Sequence, residues 1–176
     1  MKTLQVDLKT ARNIGQRLAI KSAFIGLFMA YTIFGMLMYS FDMKLWKAIF
    51  WILDVEFWYH LVLGAVGLLA MAYFFWGRAG IEILMKKRNE FLTGIKYGIL
   101  VLFGGTLIGS SVGFLEEGID NIDGFDNPFY DYYFKPLYWI AIFGTLPVLI
   151  VGIWFGHRIK NEGRKLESGG IPGLND

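Results

Sequence analysis

Residues able to do chemistry are few in this chain, and they are far apart. Its 176 residues include two histidines and no cysteine, which excludes thiolate ligands, disulfides and cysteine nucleophiles. His60 stands one turn inside the start of an apolar run, flanked by Trp58 and Tyr59, and His157 closes another such run. A b-type haem needs two axial imidazoles facing each other at one depth. If both runs cross a membrane, the two histidines lie at opposite surfaces, about 25–30 Å apart. One chain cannot clamp a haem between them. His60 alone could ligate a haem shared with another subunit or contact a quinone headgroup. The plainer reading makes it an interfacial histidine bonded to a backbone carbonyl.

The second candidate is acidic. Residues 116–136, EEGIDNIDGFDNPFYDYYFKP, combine carboxylates with aromatics. Glu116, Glu117, Asp120 and Asp123 could gather a divalent cation or dock a partner; a solvated loop is the blander account. The stretch Asn121–Asn127 carries the Asp-Gly pair of a calcium loop, but its spacing fails. Aligned on Asp123-Gly124, Ile119 falls at the first ligand position and Tyr130 at the twelfth, where a bidentate glutamate is required. The chain has no Ser-x-x-Lys, no His-Glu-x-x-His, no nucleophile elbow and no glycine-rich phosphate loop. The expectation is a protein that is not catalytic by itself, with no metal site and no cofactor beyond the haem or quinone option at His60.

The elements that must position these residues are hydrophobic. The chain is 55% apolar and only 18% charged, with mean hydropathy +0.46; a soluble domain carries about 25% charge. Four apolar segments, 22–41, 57–76, 97–115 and 137–156, each approach the roughly 20 residues that cross a bilayer as a helix. None has Asp, Glu, Lys or Arg in its interior, which weighs against a proton pump or ion-coupled carrier. Runs this long lack the alternation of barrel strands, and an open sheet leaves unpaired edges in lipid. The predicted fold is an all-α integral membrane protein in one domain, with four transmembrane helices and short interfacial helices.

Of the 17 lysines and arginines, 14 lie before the first segment, between the second and third, or after the fourth. The positive-inside rule then puts both termini in the cytoplasm of a multi-pass protein of the inner or plasma membrane. These basic clusters read as topology signals and anionic-lipid contacts, not as nucleic-acid sites. Residues 1–20 form a cytoplasmic amphipathic segment, with Leu4, Leu8, Ala11, Gly15 and Leu18 on one stripe, and they do not read as a cleaved signal peptide. Residues 42–56 place Leu45, Trp46, Ile49, Phe50 and Leu53 on one face, as an interfacial helix would. Residues 157–176 form a cytoplasmic tail.

Gly105, Gly109 and Gly113 recur every four residues in the third segment, with a fainter counterpart, Ser22, Gly26 and Ala30, in the first. A strip of small residues lets another helix approach closely, within the chain or across an oligomer. Thr32, Thr106, Ser110 and Ser111 offer the spans' hydroxyls. The halves also resemble each other: IKSAFIGLFMAYTIFG (Ile20–Gly35) matches IKYGILVLFGGTLIG (Ile95–Gly109) with one gap, and AYFFWGRAG (Ala72–Gly80) matches VGIWFGHRI (Val151–Ile159). Either two tandem two-helix hairpins are repeated in parallel, or apolar composition produces the match. The function expected is that of a structural or accessory subunit of a larger membrane complex, its partners being lipids and other subunits or copies of itself. The alternatives are a homo-oligomeric channel or small-solute permease, and a haem- or quinone-contacting subunit of an electron-transfer complex.

Overall fold

The computed structural model describes residues 7–40, 44–50, 58–118 and 127–167. These are almost wholly helical, and no strand occurs among them. Five helices follow in order: α1 (Leu8–Ser40), α2 (Leu45–Ile49), α3 (Trp58–Leu84), α4 (Glu90–Gly113) and α5 (Lys135–Glu167). π-helical turns extend α4 through Phe114–Gly118 and lead into α5 over Tyr130–Phe134. Four helices are long and apolar enough to cross a membrane. The chain therefore has the make-up of a multi-pass membrane protein.

Side chains capping the first N–H groups fix where helices begin. Asp7 Oδ1 accepts from the Thr10 N–H at 2.8 Å, and Asn89 Oδ1 accepts from those of Phe91 and Leu92 at 3.0 and 3.1 Å. Each satisfies donors that a helix start otherwise leaves open. Between α3 and α4 the chain turns through Lys87, whose φ of 50° is left-handed. A residue with a Cβ is strained there by about 1–2 kcal/mol. Pro147 lies inside α5 and cannot donate to the carbonyl one turn back.

The long helices form an antiparallel bundle. α1 packs on α3 and α5, and α4 packs on the same two from the other side. α3 and α5 also touch across the diagonal, where the Trp76 and Phe155 rings stack with centroids 4.1 Å apart. One end carries the start of α1, the α3–α4 turn and the end of α5; we call it proximal. There the helices run past the apolar segments, α1 by 14 residues and α5 by 11, or about 21 and 16 Å at the helical rise. This forms a polar collar.

The N-terminal segment differs from expectation. From Leu8 onward it is no separate surface helix but the first part of α1, which runs unbroken to Ser40, while residues 1–6 lie outside the described residues. Its small stripe, Ala11, Gly15, Leu18 and Ala19, is buried in the bundle. Small residues let α3 approach so closely that this face is worth more inside than on a surface. Residues 42–43 and 51–56 of the expected interfacial helix lie outside the described residues; α2 lies between them, with Leu45, Trp46 and Ile49 exposed.

Candidate functional site

Two tight helix crossings build the proximal end. At the first, a Cβ on Gly15 would stand 2.1 Å from the Trp76 carbonyl oxygen, and one on Gly80 would stand 2.2 Å from that of Ala11. At the second, a Cβ on Gly94 would lie 2.0 Å from the Gly152 oxygen, and one on Gly156 would lie 2.0 Å from that of Glu90. Neither pair of backbones could come so near with any side chain between them. The crossings follow one plan: Ala11 and Gly15 meet Trp76 and Gly80 as Glu90 and Gly94 meet Gly152 and Gly156.

Gly15 thus corresponds to Gly94, a displacement of 79 residues, where the sequence match of Ile20 with Ile95 implies 75. Under the larger displacement five of the six buried positions of α1 fall on buried positions of α4: 11 with 90, 15 with 94, 18 with 97, 19 with 98 and 22 with 101, while buried Ala23 meets half-buried Leu102. The match of Ala72–Gly80 with Val151–Ile159 has the same displacement and pairs Trp76 with Phe155, the two rings that stack on each other. In the second hairpin α5 is slid three residues, nearly one turn, relative to the first.

Around these crossings runs a circuit of ion pairs. Glu82 of α3 accepts the Tyr97 hydroxyl at 3.1 Å and lies 3.5 Å from both Arg88 and Lys96. Glu90 of α4 accepts from Lys160 of α5 at 2.7 Å. Glu162 of α5 accepts from Arg17 of α1 at 3.2 Å. The three carboxylate side chains are only 14, 12 and 13% exposed. Each joins one helix to the next, α3 to α4, α4 to α5 and α5 to α1. Exposed pairs contribute about 0–1 kcal/mol each; shielded carboxylates and the 2.7 Å charge-assisted bond put the Glu90–Lys160 pair at the upper end. Counting only basic residues conceals this circuit. The signal that reveals it is an acid inside each basic cluster: Glu82, Glu90 and Glu162.

Beside the circuit lies a cavity of about 300 Å³ between the α3–α4 turn and the end of α5. Its floor includes Ile83, Leu84 and Gly163, and its charged wall is Lys87, Arg88, Glu90, Lys160 and Arg164. Four cations face one carboxylate.

The small-residue strip of α4 is spread along the α3 contact. Gly105 is buried, and a Cβ there would stand 2.8 Å from the Leu68 Cα; Gly109 Cα lies 3.8 Å from where a Cβ on Gly64 would be; Gly113 is buried. In α1, Ser22 is fully buried with its hydroxyl on the Leu18 carbonyl at 2.6 Å. Gly26 is half-buried near Val151, and Ala30 is exposed. The hydroxyls of Thr32, Thr106 and Ser111 donate to Phe28, Leu102 and Leu107 of their own helices at 2.7–2.8 Å, the usual refuge of a hydroxyl on a helix.

His157 is exposed, 2.9 Å from Asn161, with its ring parallel to that of Phe91. His60 belongs to α3, but its side chain lies outside the described residues, as do that of Glu117 and all of Asp120 and Asp123. Glu116 is exposed in the π-helical turn. Among the described residues, no group of three His, Asp or Glu side chains stands close enough to hold a metal ion. Comparison with protein-family models, curated proteins and solved structures finds no match to this chain.

Proposed function

We propose that this chain is a non-catalytic accessory subunit of a membrane complex, crossing the inner or plasma membrane four times with both termini in the cytoplasm. The observation that carries the reading is a gradient of burial. Every buried apolar side chain of α1, from Ala11 to Ala23, lies toward the proximal end, and from Phe129 to Leu146 nothing is buried. The opposite, distal half presents Phe28, Met36, Leu61, Phe129, Phe134, Tyr138 and Trp139, all exposed, whereas exposed side chains of the proximal half such as Phe74 and Leu92 stand beside buried ones. A membrane helix that buries so little against its own chain leaves its packing surface to lipid and to other helices.

Depth and orientation have support from three cations. Arg78 lies over Phe74, Lys96 over Tyr97 and Arg158 over Trp154, at 4.6–5.6 Å from the ring centres. Aromatic rings with snorkelling cations belong where hydrocarbon meets headgroups. The proximal collar is also where the basic residues are concentrated, as a cytoplasmic face requires.

The test is co-purification. The full chain, extracted in mild detergent, is photocrosslinked from Phe28, Met36 and Leu146 and, as a control, from Arg12 in the collar. Reproducible adducts to another integral protein from the distal positions are expected. Adducts to lipid alone, with a solitary monomer by light scattering, refute the subunit reading.

A further inference from the structure

The Tyr31 hydroxyl of α1 donates to the Ile49 carbonyl of α2, and that one bond fixes how deep α2 sits. Tyr31 is the tenth of the 20 residues 22–41 that form the first apolar segment. From it α1 has nine residues still to run to Ser40, about 14 Å of helix and nearly half of the roughly 30 Å of hydrocarbon. Long side chains on a helix lean toward its N-terminus, here the proximal end, so the hydroxyl stands no nearer the distal surface than the Tyr31 backbone. The end of α2 is therefore held near the middle of the bilayer. Lys47 is two residues from Ile49 and Lys44 is five, so their backbones lie at most about 3 and 8 Å shallower. α2 dips from the interface into the distal leaflet, alongside α1.

Acyl chains cannot cover what α2 presents there. At the helical repeat Leu45, Trp46, Ile49 and Phe50 lie to one side and Lys44 and Lys47 to the other. All six are exposed, Trp46 by 71%. Hydrocarbon suits the apolar side alone. Neither lysine forms an ion pair among the described residues, and a cation this far inside the bilayer needs a partner or water. A helix of five residues also leaves most of its N–H and C=O groups without an intrahelical bond. Such backbone stands at membrane depth only where protein or a water-filled cavity covers it. The cover must bring negative charge and hydrogen-bonding groups into the distal leaflet. A second copy of this chain has no such charge in its spans, because the four apolar segments contain no Asp or Glu.

We propose that α2, with the face of α1 beside it, docks a membrane-spanning helix of another protein that carries an Asp or Glu in the distal leaflet. That carboxylate pairs with Lys47, and Leu45 and Trp46 pack on the apolar surface of the same helix. Resting on the subunit reading above, this puts the subunit contact at α2 and states the chemistry of the partner.

The test uses the full chain in its native membranes, with the photocrosslinker benzoylphenylalanine at position 46 and, separately, at position 28. Mass spectrometry identifies the segment joined. From position 46, adducts to an apolar span that contains Asp or Glu are expected. Lys47→Met should lower their yield about tenfold, the lower end of measured interfacial charge pairs, and Lys47→Arg should keep it. Replacing the acid of the joined span by its amide should give the same loss, and exchanging the two charges across the pair should restore the yield. A joined span without an acid overturns the proposal, as does a yield indifferent to Lys47→Met. Adducts to a second copy of the chain overturn it too. Because the chain has no cysteine, Lys47→Cys reads access from water. It should resist a charged thiol reagent in the intact membrane; modification overturns the proposal, since α2 then lines an aqueous path. Adducts to lipid alone from position 46, with protein adducts kept from position 28, refute docking at α2 and leave the subunit reading standing. Adducts to lipid alone from both positions refute that reading itself.

Discussion

Glycine-to-alanine substitutions separate the tight crossings from the rest of the bundle, because the same chemical change should have opposite signs at different places. Alanine gains about 0.8–1.0 kcal/mol over glycine inside a helix, all else equal. Gly26→Ala should realise that gain, since its new Cβ meets only Val151 Cγ2 at 3.9 Å, an ordinary contact. Gly94→Ala should not. Its Cβ would lie 2.0 Å from the Gly152 oxygen where about 3.4 Å is the comfortable limit, so α4 and α5 must part by roughly 1.4 Å. The atom in the way is backbone and has no rotamer to change. A gap of 0.5–1 Å already forfeits a quarter to a half of the dispersion energy between facing atoms. Overpacking in cores costs about 1–3 kcal/mol, and we expect a net loss of about 2 kcal/mol for Gly94→Ala after the helical gain. Gly156→Ala acts on the same crossing, so the double variant should cost well under the sum, since the first substitution has already moved the helices apart. Reversible unfolding in mixed detergent micelles measures all four proteins. Stabilisation of Gly94→Ala to the level of Gly26→Ala refutes the close approach of α4 and α5.

Three further outcomes follow from single side chains. Trp76 is 3% exposed, and its indole N–H has no acceptor among the described residues; such an orphan costs about 1–3 kcal/mol. Trp76→Phe should therefore hold or raise the melting temperature in the same micelles, whereas a loss as large as that of Trp76→Ala means the N–H is satisfied. Lys160→Met leaves Glu90 shielded without its partner and should cost about 1–2 kcal/mol, most of which Glu90→Gln in the same chain restores. The Asp7 carboxyl is held below its ordinary value, first by the Thr10 hydroxyl and then by the Thr10 N–H. A lowered value means the cap's contribution is complete above the ordinary range near 4 and fades as pH falls through the lower folded value. The Thr10 amide resonance should report that transition and lose it in Asp7→Asn.

The apolar segments were legible because a bilayer-length run is set by composition alone, and α1, α3, α4 and α5 cover 22–40, 58–76, 97–113 and 137–156 of them. Their proximal extensions were not, since hydropathy windows close at the first charges, while Arg12, Gln16, Glu82 and Glu162 lie on helices that continue. The glycine register was legible in part. Gly105 and Gly109 stand against Leu68 and Gly64 of α3, but the closest approaches are at Gly15, Gly80, Gly94 and Gly156, three of them in stretches that look merely basic or loop-like. A four-residue repeat was visible there as well, at Gly94 with Gly98 and Gly152 with Gly156. Its meaning depends on which residues lie opposite, and that is a tertiary fact. The circuit of Glu82, Glu90 and Glu162 was obscured for the same reason: each acid is neutralised by a cation on another helix, so along the chain it only dilutes a basic cluster.

The two halves explain why burial is concentrated at one end of the bundle, although α3 and α4 stay in contact past Gly105 and Gly109. Each hairpin is fastened once, at a crossing where glycine admits backbone against backbone, and both crossings lie at the proximal end. Antiparallel helices fixed at one level and bearing larger side chains further along must diverge from that level. In α1 the contact face changes from Ala11, Gly15 and Ala19 to Met29, Ile33 and Leu37, and its last buried residue is Ala23. In water that divergence would cost the apolar area left uncovered, at about 25 cal/mol per Å². In hydrocarbon it costs almost nothing, because lipid tails are as apolar as leucine. Among the described residues, the ion-pair circuit and the cavity lie at the proximal end, where, on the proposed membrane reading, water makes closure worthwhile. The sequence places its small residues and its charges accordingly: glycine where helices must touch, carboxylate and cation where water would otherwise enter, and bulky aromatics where the surface is left to lipid or to another chain.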